Sequence, residues 1–322
     1  MSDALAAAAA IVYESMTPTV QRRWPLLERR CGTTVWVKHE QHAPTGAFKV
    51  RGGLVYFHER IRGQERIAGA IAATRGNHGQ SVAFAARQHG VPCAVVVPHG
   101  NSVDKNRAMQ ALGAELIEEG HDFQSSLEAA AALAKQRGWH MVPSFDELLV
   151  RGVATCSLEL FRAVPDLDTL YVPIGLGSGI CGAIAARDAL NLRTKIVGVV
   201  SAEAPACARS LEQGRIVSCE ARTRIADGVA CRTPDADALH RIRRGAERVV
   251  EVSDDEVEEA MRVIYGDTHT VAEGAAATGV AAMLRERERL QGQHVAVVLT
   301  GSNVDRAQFA RVLSEGQGRR VP

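Results

Sequence analysis

Short apolar runs of four to seven residues alternate with longer stretches of helical periodicity through most of the chain. That alternation constrains the fold more than any other feature. A strand, a helix and a further strand in succession need a crossover over one face of a sheet, so the repetition predicts βαβ units, a parallel sheet and the α/β class. Strands are expected at residues 67–73, 93–97, 170–173, 196–200, 249–252 and 295–299, each rich in valine, isoleucine or alanine. Helices are expected at 78–89, 105–112, 123–137, 180–190, 254–265 and 305–313. Ser253 followed three residues later by Glu256 has the spacing of a capping box and marks one helix start. The opening segment is apolar like a signal peptide, but it carries Asp3 and lacks a basic region, so a short first helix capped by Ser2 is expected instead.

A chain of 322 residues with 46% hydrophobic composition can fill a sizeable core. Its 38 Lys and Arg against 37 Asp and Glu give no field of one sign to favour nucleic acid or an anionic membrane surface. No run approaches the roughly 18 apolar residues that span a bilayer, so a soluble protein acting on small molecules is expected. Seven cysteines (Cys31, Cys93, Cys156, Cys181, Cys207, Cys219 and Cys231) are odd in number and form no C-x-x-C. They fit neither a disulfide framework nor a zinc site and read as buried free thiols of a reducing cytoplasm. Between residues 67 and 142 the βα units are compact, near 25 residues each, which predicts a small domain inserted into a larger one made of residues 1–66 and 143–322. A ligand site would lie at the carboxyl ends of the strands.

Three strand ends lead into polar or glycine-rich loops. Gly175, Leu176, Gly177, Ser178 and Gly179 precede a helix, an arrangement whose backbone N–H groups and positive helix end suit a phosphate. Residues 177–182 also satisfy G-x-G-x-x-G, with Glu203 about 20 residues on, as a dinucleotide fingerprint requires. Thr74, Arg75, Gly76, Asn77 and His78 form a second such turn, where N–H groups can hold a carboxylate and Asn77 can donate to a phenolate oxygen, or simply cap the helix. Thr300 puts a hydroxyl at the third strand end, where it can face a neutral ring nitrogen or belong to an ordinary turn. Lys49 stands in "PTGAFKVRGG", between an aromatic residue and a valine. Desolvation there would lower its pKa and free a neutral amine to form a Schiff base, against the commoner reading of a lysine reaching out to solvent.

With "KHEQHAPTGAFKVRGG", "TRGNHGQSVAFAAR", "VPIGLGSGICG", "ADGVA", "AEGAAA" and "LTGSNVD" in this order, residues 18–313 resemble the pyridoxal-phosphate enzymes of the tryptophan-synthase β fold, fold type II. Within these the resemblance is to the serine/threonine dehydratase and serine racemase family, near short catabolic hydroxy-amino-acid dehydratases such as phenylserine dehydratase. It implies a two-domain fold of mostly parallel twisted sheets flanked by helices, with pyridoxal 5'-phosphate as cofactor. Lys49 would be the Schiff-base lysine and catalytic base, Asn77 the partner of the cofactor 3'-oxygen, residues 175–179 the phosphate loop, and Thr300 the partner of the pyridine nitrogen. Thr74, Arg75, Gly76 and His78 would belong to the loop that binds the substrate α-carboxylate.

The implied reaction is β-elimination from a β-hydroxy amino acid to a 2-oxo acid and ammonia, in a cytoplasmic homodimer without nucleic-acid or membrane partners. Two departures stand out: Arg75 where relatives carry serine or alanine, and Gly198-Val199-Val200-Ser201 where metal-using relatives carry "GVEP". Arg75 points to phenylserine or 3-hydroxyaspartate as substrate, and Val200 to a site with no metal. The short chain leaves no room for a regulatory domain, so feedback by isoleucine is not expected. Competing readings are an NAD-dependent oxidoreductase using residues 177–182, a serine-racemase-like isomerase, and an inactive amino-acid sensor.

Overall fold

The computed structural model describes residues 3–62 and 67–315. Their strands are β1 Gln21–Arg23, β2 Thr34–His39, β3 Ala70–Ala73, β4 Cys93–Val97, β5 Glu115–Glu118, β6 His140–Met141, β7 Thr169–Pro173, β8 Lys195–Ser201, β9 Arg248–Val252 and β10 His294–Leu299. They form two sheets, ordered β1-β2-β10-β7-β8-β9 and β5-β4-β3-β6. Every pairing is parallel except that of β1 with β2. Parallel sheets need both faces covered, and every residue of β4 and β7 is buried.

On one face of the larger sheet, helices Asp254–Thr268 and Gly274–Arg285 close an apolar cluster; on the other, Glu147–Ala163 and Ser178–Ala189 close a second. The smaller sheet lies between Asn77–Gln88 on one side and Phe123–Arg137 on the other. Helix Val50–Arg62, which starts immediately after Lys49, packs against both Glu147–Ala163 and Asn77–Gln88. Two glycines permit this. A Cβ on Gly52 would lie 2.9 Å from the Leu149 carbonyl oxygen, and one on Gly53 would lie 2.4 Å from Ser81 Oγ.

The α/β class, the six expected strands and the six expected helices are all present, with ends shifted by three residues at most. The capping box at Ser253 and Glu256 is formed. The first helix spans Asp3–Tyr13, while its expected cap, Ser2, lies outside the described residues. All seven cysteines are free; six are buried, and Cys219 is half-buried. No described helix is long and apolar enough to cross a membrane.

Candidate active site

The carboxyl ends of β3, β7 and β10 open on one cavity of about 320 Å³. Its wall contains every residue that the family resemblance assigns to cofactor or substrate: Lys49; Thr74, Arg75, Gly76, Asn77 and His78; Gly175, Leu176, Gly177, Ser178 and Gly179; and Thr300. Parallel strands bring this about, because within each sheet they release their loops on one edge, and the loops of β3 from the smaller sheet and of β7 and β10 from the larger meet at this cavity.

Lys49 is held from two sides. The Phe48 N–H donates to the Thr300 carbonyl at 2.9 Å and the Ser302 N–H to the Gly46 carbonyl at 3.0 Å, lacing the lysine segment to the end of β10. Ser81 Oγ donates to the Lys49 carbonyl at 2.6 Å from the smaller sheet's helix. Underneath, Arg51 is fully buried and bonds Glu40 Oε2 at 2.7 Å and Glu159 Oε1 at 2.6 Å, with Lys38 Nζ 2.5 Å from Glu159 Oε2. Burial pushes the Glu40 carboxyl up, but Arg51 outweighs it and holds the group below the ordinary carboxylate range.

The Lys49 amine itself has no hydrogen bond or ion pair among the described residues and lies 5.3 Å from the centroid of the Phe48 ring. Its surroundings pull its pKa down to about 8, through burial, while the Glu273 carboxylate pulls the other way. A partly neutral amine facing a cavity is a nucleophile towards a carbonyl and a base towards an acidic C–H.

The Gly175–Gly179 loop has unused donors. The N–H groups of Gly175, Leu176 and Gly177 reach no backbone carbonyl among the described residues. Helix Ser178–Ala189 begins at Gly177, with φ +104° and no side-chain cap, so its first-turn N–H groups are free as well. A Cβ on Gly175 would meet the Gly228 carbonyl oxygen at 2.6 Å, which keeps this cradle open only to glycine. Thr300 is buried, and its hydroxyl bonds nothing among the described residues. An idle amine, a cluster of idle N–H donors and an idle hydroxyl around one cavity fit a phosphorylated aromatic aldehyde.

The second loop is braced from within: Thr74 Oγ1 accepts from the Gly76 N–H at 2.9 Å and the Gly79 N–H at 3.3 Å. Asn77 does not cap its helix, where Gly76 holds the cap position. Its Nδ2 donates to Glu273 Oε1 at 2.5 Å, and its Oδ1 accepts from Asn303 Nδ2 at 2.9 Å. His78 is buried with Nε2 unpartnered, and burial together with Lys49 pushes its pKa down to about 3, so the ring is neutral. Arg75 is exposed on the cavity wall with no carboxylate within 4 Å among the described residues.

Sequence reasoning missed the charged residues of the same wall. Lys105 Nζ, from helix Val103–Ala111, lies 2.7 Å from Asp227 Oδ2 and 3.2 Å from Glu273 Oε2. Arg232 pairs with Asp122 at 2.5 Å. Asp227 and Glu273 sit inside "ADGVA" and "AEGAAA", so the motifs marked their position but not their partners. Val200, on which the metal expectation rested, is an interior residue of β8 packed in the core. The carboxylate beyond the end of that strand is Glu203, which accepts from Ser201 Oγ at 3.0 Å.

Residues 12–301 match the sequence family described as pyridoxal-phosphate dependent enzyme. An L-threonine ammonia-lyase of Thermotoga maritima is 32% identical over 92% of this chain and 74% of its own length. An L-threo-3-hydroxyaspartate ammonia-lyase of Saccharomyces cerevisiae is 30% identical over 94% of this chain and 92% of its own. The solved structure of a pyridoxal 5'-phosphate-dependent aspartate racemase superposes with a TM-score of 0.88 at 28% identity, covering 95% of this chain and 96% of that one. This match leaves the dinucleotide reading of residues 177–182 without support. With a family match over most of the chain and a cavity lined by the groups that a phosphorylated pyridine aldehyde needs, the chain belongs to the fold type II pyridoxal-phosphate dependent enzymes, and pyridoxal 5'-phosphate is its cofactor.

Proposed function

We propose that the protein is an ammonia-lyase that removes the β-hydroxyl of a small amino acid and releases a 2-oxo acid and ammonia, with 3-hydroxyaspartate as preferred substrate. The unpartnered Lys49 amine, set among three strand-end loops, carries the reading of the reaction. The relatives matched across nearly their whole length, the 3-hydroxyaspartate ammonia-lyases, support the substrate.

Each residue then has a task. Lys49 would hold the cofactor aldehyde and would serve as the base for the Cα proton, a role worth about 10²–10⁴ in rate. The N–H groups of residues 175–179 would hold the cofactor phosphate, Asn77 would donate to its ring oxygen, and the Thr300 hydroxyl would face its ring nitrogen, where, unlike a carboxylate, it carries no charge to favour protonation. Bound pyridoxal phosphate supplies the electron sink for the carbanion at Cα. Within residues 74–78 the N–H groups of Arg75, Asn77 and His78, which have no acceptor among the described residues, would receive the substrate α-carboxylate; the neutral His78 ring adds no charge to this.

Arg75 selects the side chain. Its guanidinium lacks an internal carboxylate partner among the described residues, and a second substrate carboxylate can supply one through a bidentate pair. A permanently charged guanidinium is also a poor proton donor, so elimination runs with little racemisation. The reading includes a large domain of residues 1–66 and 143–322, a small one of 67–142, and a homodimer in a reducing compartment. Steady-state kinetics with L-threo-3-hydroxyaspartate, phenylserine, threonine and serine test it: kcat/KM should be highest for hydroxyaspartate, and equal values for all four would refute the substrate assignment.

A further inference from the structure

Glu273 is almost wholly buried at the start of helix Gly274–Arg285, against the end of β10, where its N–H donates to the Gly301 carbonyl at 3.1 Å. A lone buried carboxylate is costly unless it is paired. Two residues from the other sheet's layer do the pairing. Asn77 Nδ2 donates to Oε1 at 2.5 Å, and Lys105 Nζ stands 3.2 Å from Oε2 while also contacting Asp227 at 2.7 Å. Lys105 is itself buried, its stem packed so closely over Gly76 that a Cβ there would meet Lys105 Cδ at 2.4 Å.

The consequence falls on Asn77. A carboxamide can present either its oxygen or its nitrogen to a neighbour, and nothing in its shape chooses between them. Here the choice is made twice: the Glu273 carboxylate takes an N–H, and the Asn303 N–H takes the oxygen. One amide hydrogen is left over, on a residue that lines the cavity. An ionised Glu273 accepts only. A protonated one can donate, which removes the preference.

We propose that Glu273, paired with Lys105, is a positioning residue that fixes the Asn77 amide with its donor side towards the cofactor ring oxygen. The inference rests on the placing of Asn77 against that oxygen. Burial raises the carboxyl pKa of Glu273, and Lys105 offsets this only in part. Glu273 therefore depends on a lysine delivered by the opposite layer.

The test is a double-variant cycle read by the absorption spectrum of the resting holoenzyme and by the cofactor dissociation constant. Glu273→Gln, Lys105→Met and Asn77→Ala are made singly, and Glu273→Gln is also combined with each of the other two. Each single change should weaken cofactor binding about tenfold or more, as loss of one charge-assisted hydrogen bond does, and move absorbance from the visible band to the near-ultraviolet. Glu273→Gln should add nothing in the Asn77→Ala background and nothing in the Lys105→Met background.

A full additional effect of Glu273→Gln in the Asn77→Ala background would overturn the proposal, since Glu273 would then act by another route. An unchanged spectrum and affinity in Glu273→Gln, with Asn77→Ala altered, would overturn it while sparing the placing of Asn77. An unchanged Asn77→Ala protein would overturn both. If Glu273→Gln does not fold, Lys105→Met with Asn77→Ala decides the matter by the same additivity criterion.

Discussion

The depressed pKa of Lys49 makes a quantitative statement about how the protein takes up its cofactor. Only the neutral amine attacks an aldehyde. A lysine at its ordinary value of 10.5 is neutral to about one part in 3,000 at pH 7, whereas one at about 8 is neutral to about one part in ten, a gain of about 300-fold. The perturbation is pH itself. Protein stripped of cofactor would be mixed with excess pyridoxal phosphate at a series of pH values, and the rise of visible absorbance followed by stopped flow. The rate should climb tenfold per unit below pH 8 and level off above it. A rate still climbing tenfold per unit at pH 9.5 would refute the reasoning, since the amine would then be an ordinary solvated one.

Four further outcomes are expected. Arg75→Ala should lower kcat/KM for 3-hydroxyaspartate by about tenfold to a hundredfold and leave serine nearly unaffected, as loss of one bidentate ion pair implies; an unchanged order of substrates would mean that Arg75 does not read the side chain. Arg51→Met should cost about 3–5 kcal/mol in denaturant unfolding, because it leaves Glu40 and Glu159 buried without their main partner. In the parent protein the depressed Glu40 pKa contributes stability that is present above the unfolded carboxylate value and lost as pH falls through the folded one, so stability should drop below about pH 4, and a flat profile there would contradict the network. Gly175→Ala should weaken cofactor binding without unfolding the protein, since its Cβ would drive the phosphate loop against Gly228; calorimetric titration would expose the error if affinity stayed at the parent value.

Parts of the fold written as local pattern were legible in the sequence. The strands β4, β7, β8 and β10 are apolar runs buried over most of their length, and the loops after β7 and β10 carry glycines and a hydroxyl that end up around the cavity. Helix Glu147–Ala163 was not read from the sequence, although Glu147, Arg151, Thr155, Glu159 and Arg162 recur at helical spacing; Thr155 and Glu159 of that stripe are buried because Arg51 and Lys38 meet them from other elements. Strand β2 was obscured by Lys38 and His39, polar residues that are buried because Glu159 and Trp24 wait for them across the fold. β5 and β6 are short, with exposed or half-buried positions. At the site, the glycine loops announced themselves, but Lys105 looked like any lysine on a polar helix. Its partners Asp227 and Glu273 lie more than a hundred residues away, and only the packing of one sheet's layer on the other brings them together. The same holds for the Asn77 amide, whose contact with Glu273 no local rule foretells.

The central claim is that one lysine, Lys49, carries the chemistry. The chain offers four others: Lys38, Lys105, Lys135 and Lys195. Reducing the holoenzyme with borohydride and mapping the pyridoxyl adduct by peptide mass spectrometry tests the claim directly. The account predicts one modified peptide, with the adduct on Lys49 Nζ and none after Lys49→Ala; an adduct on any of the other four, or an undiminished adduct in the variant, would contradict it.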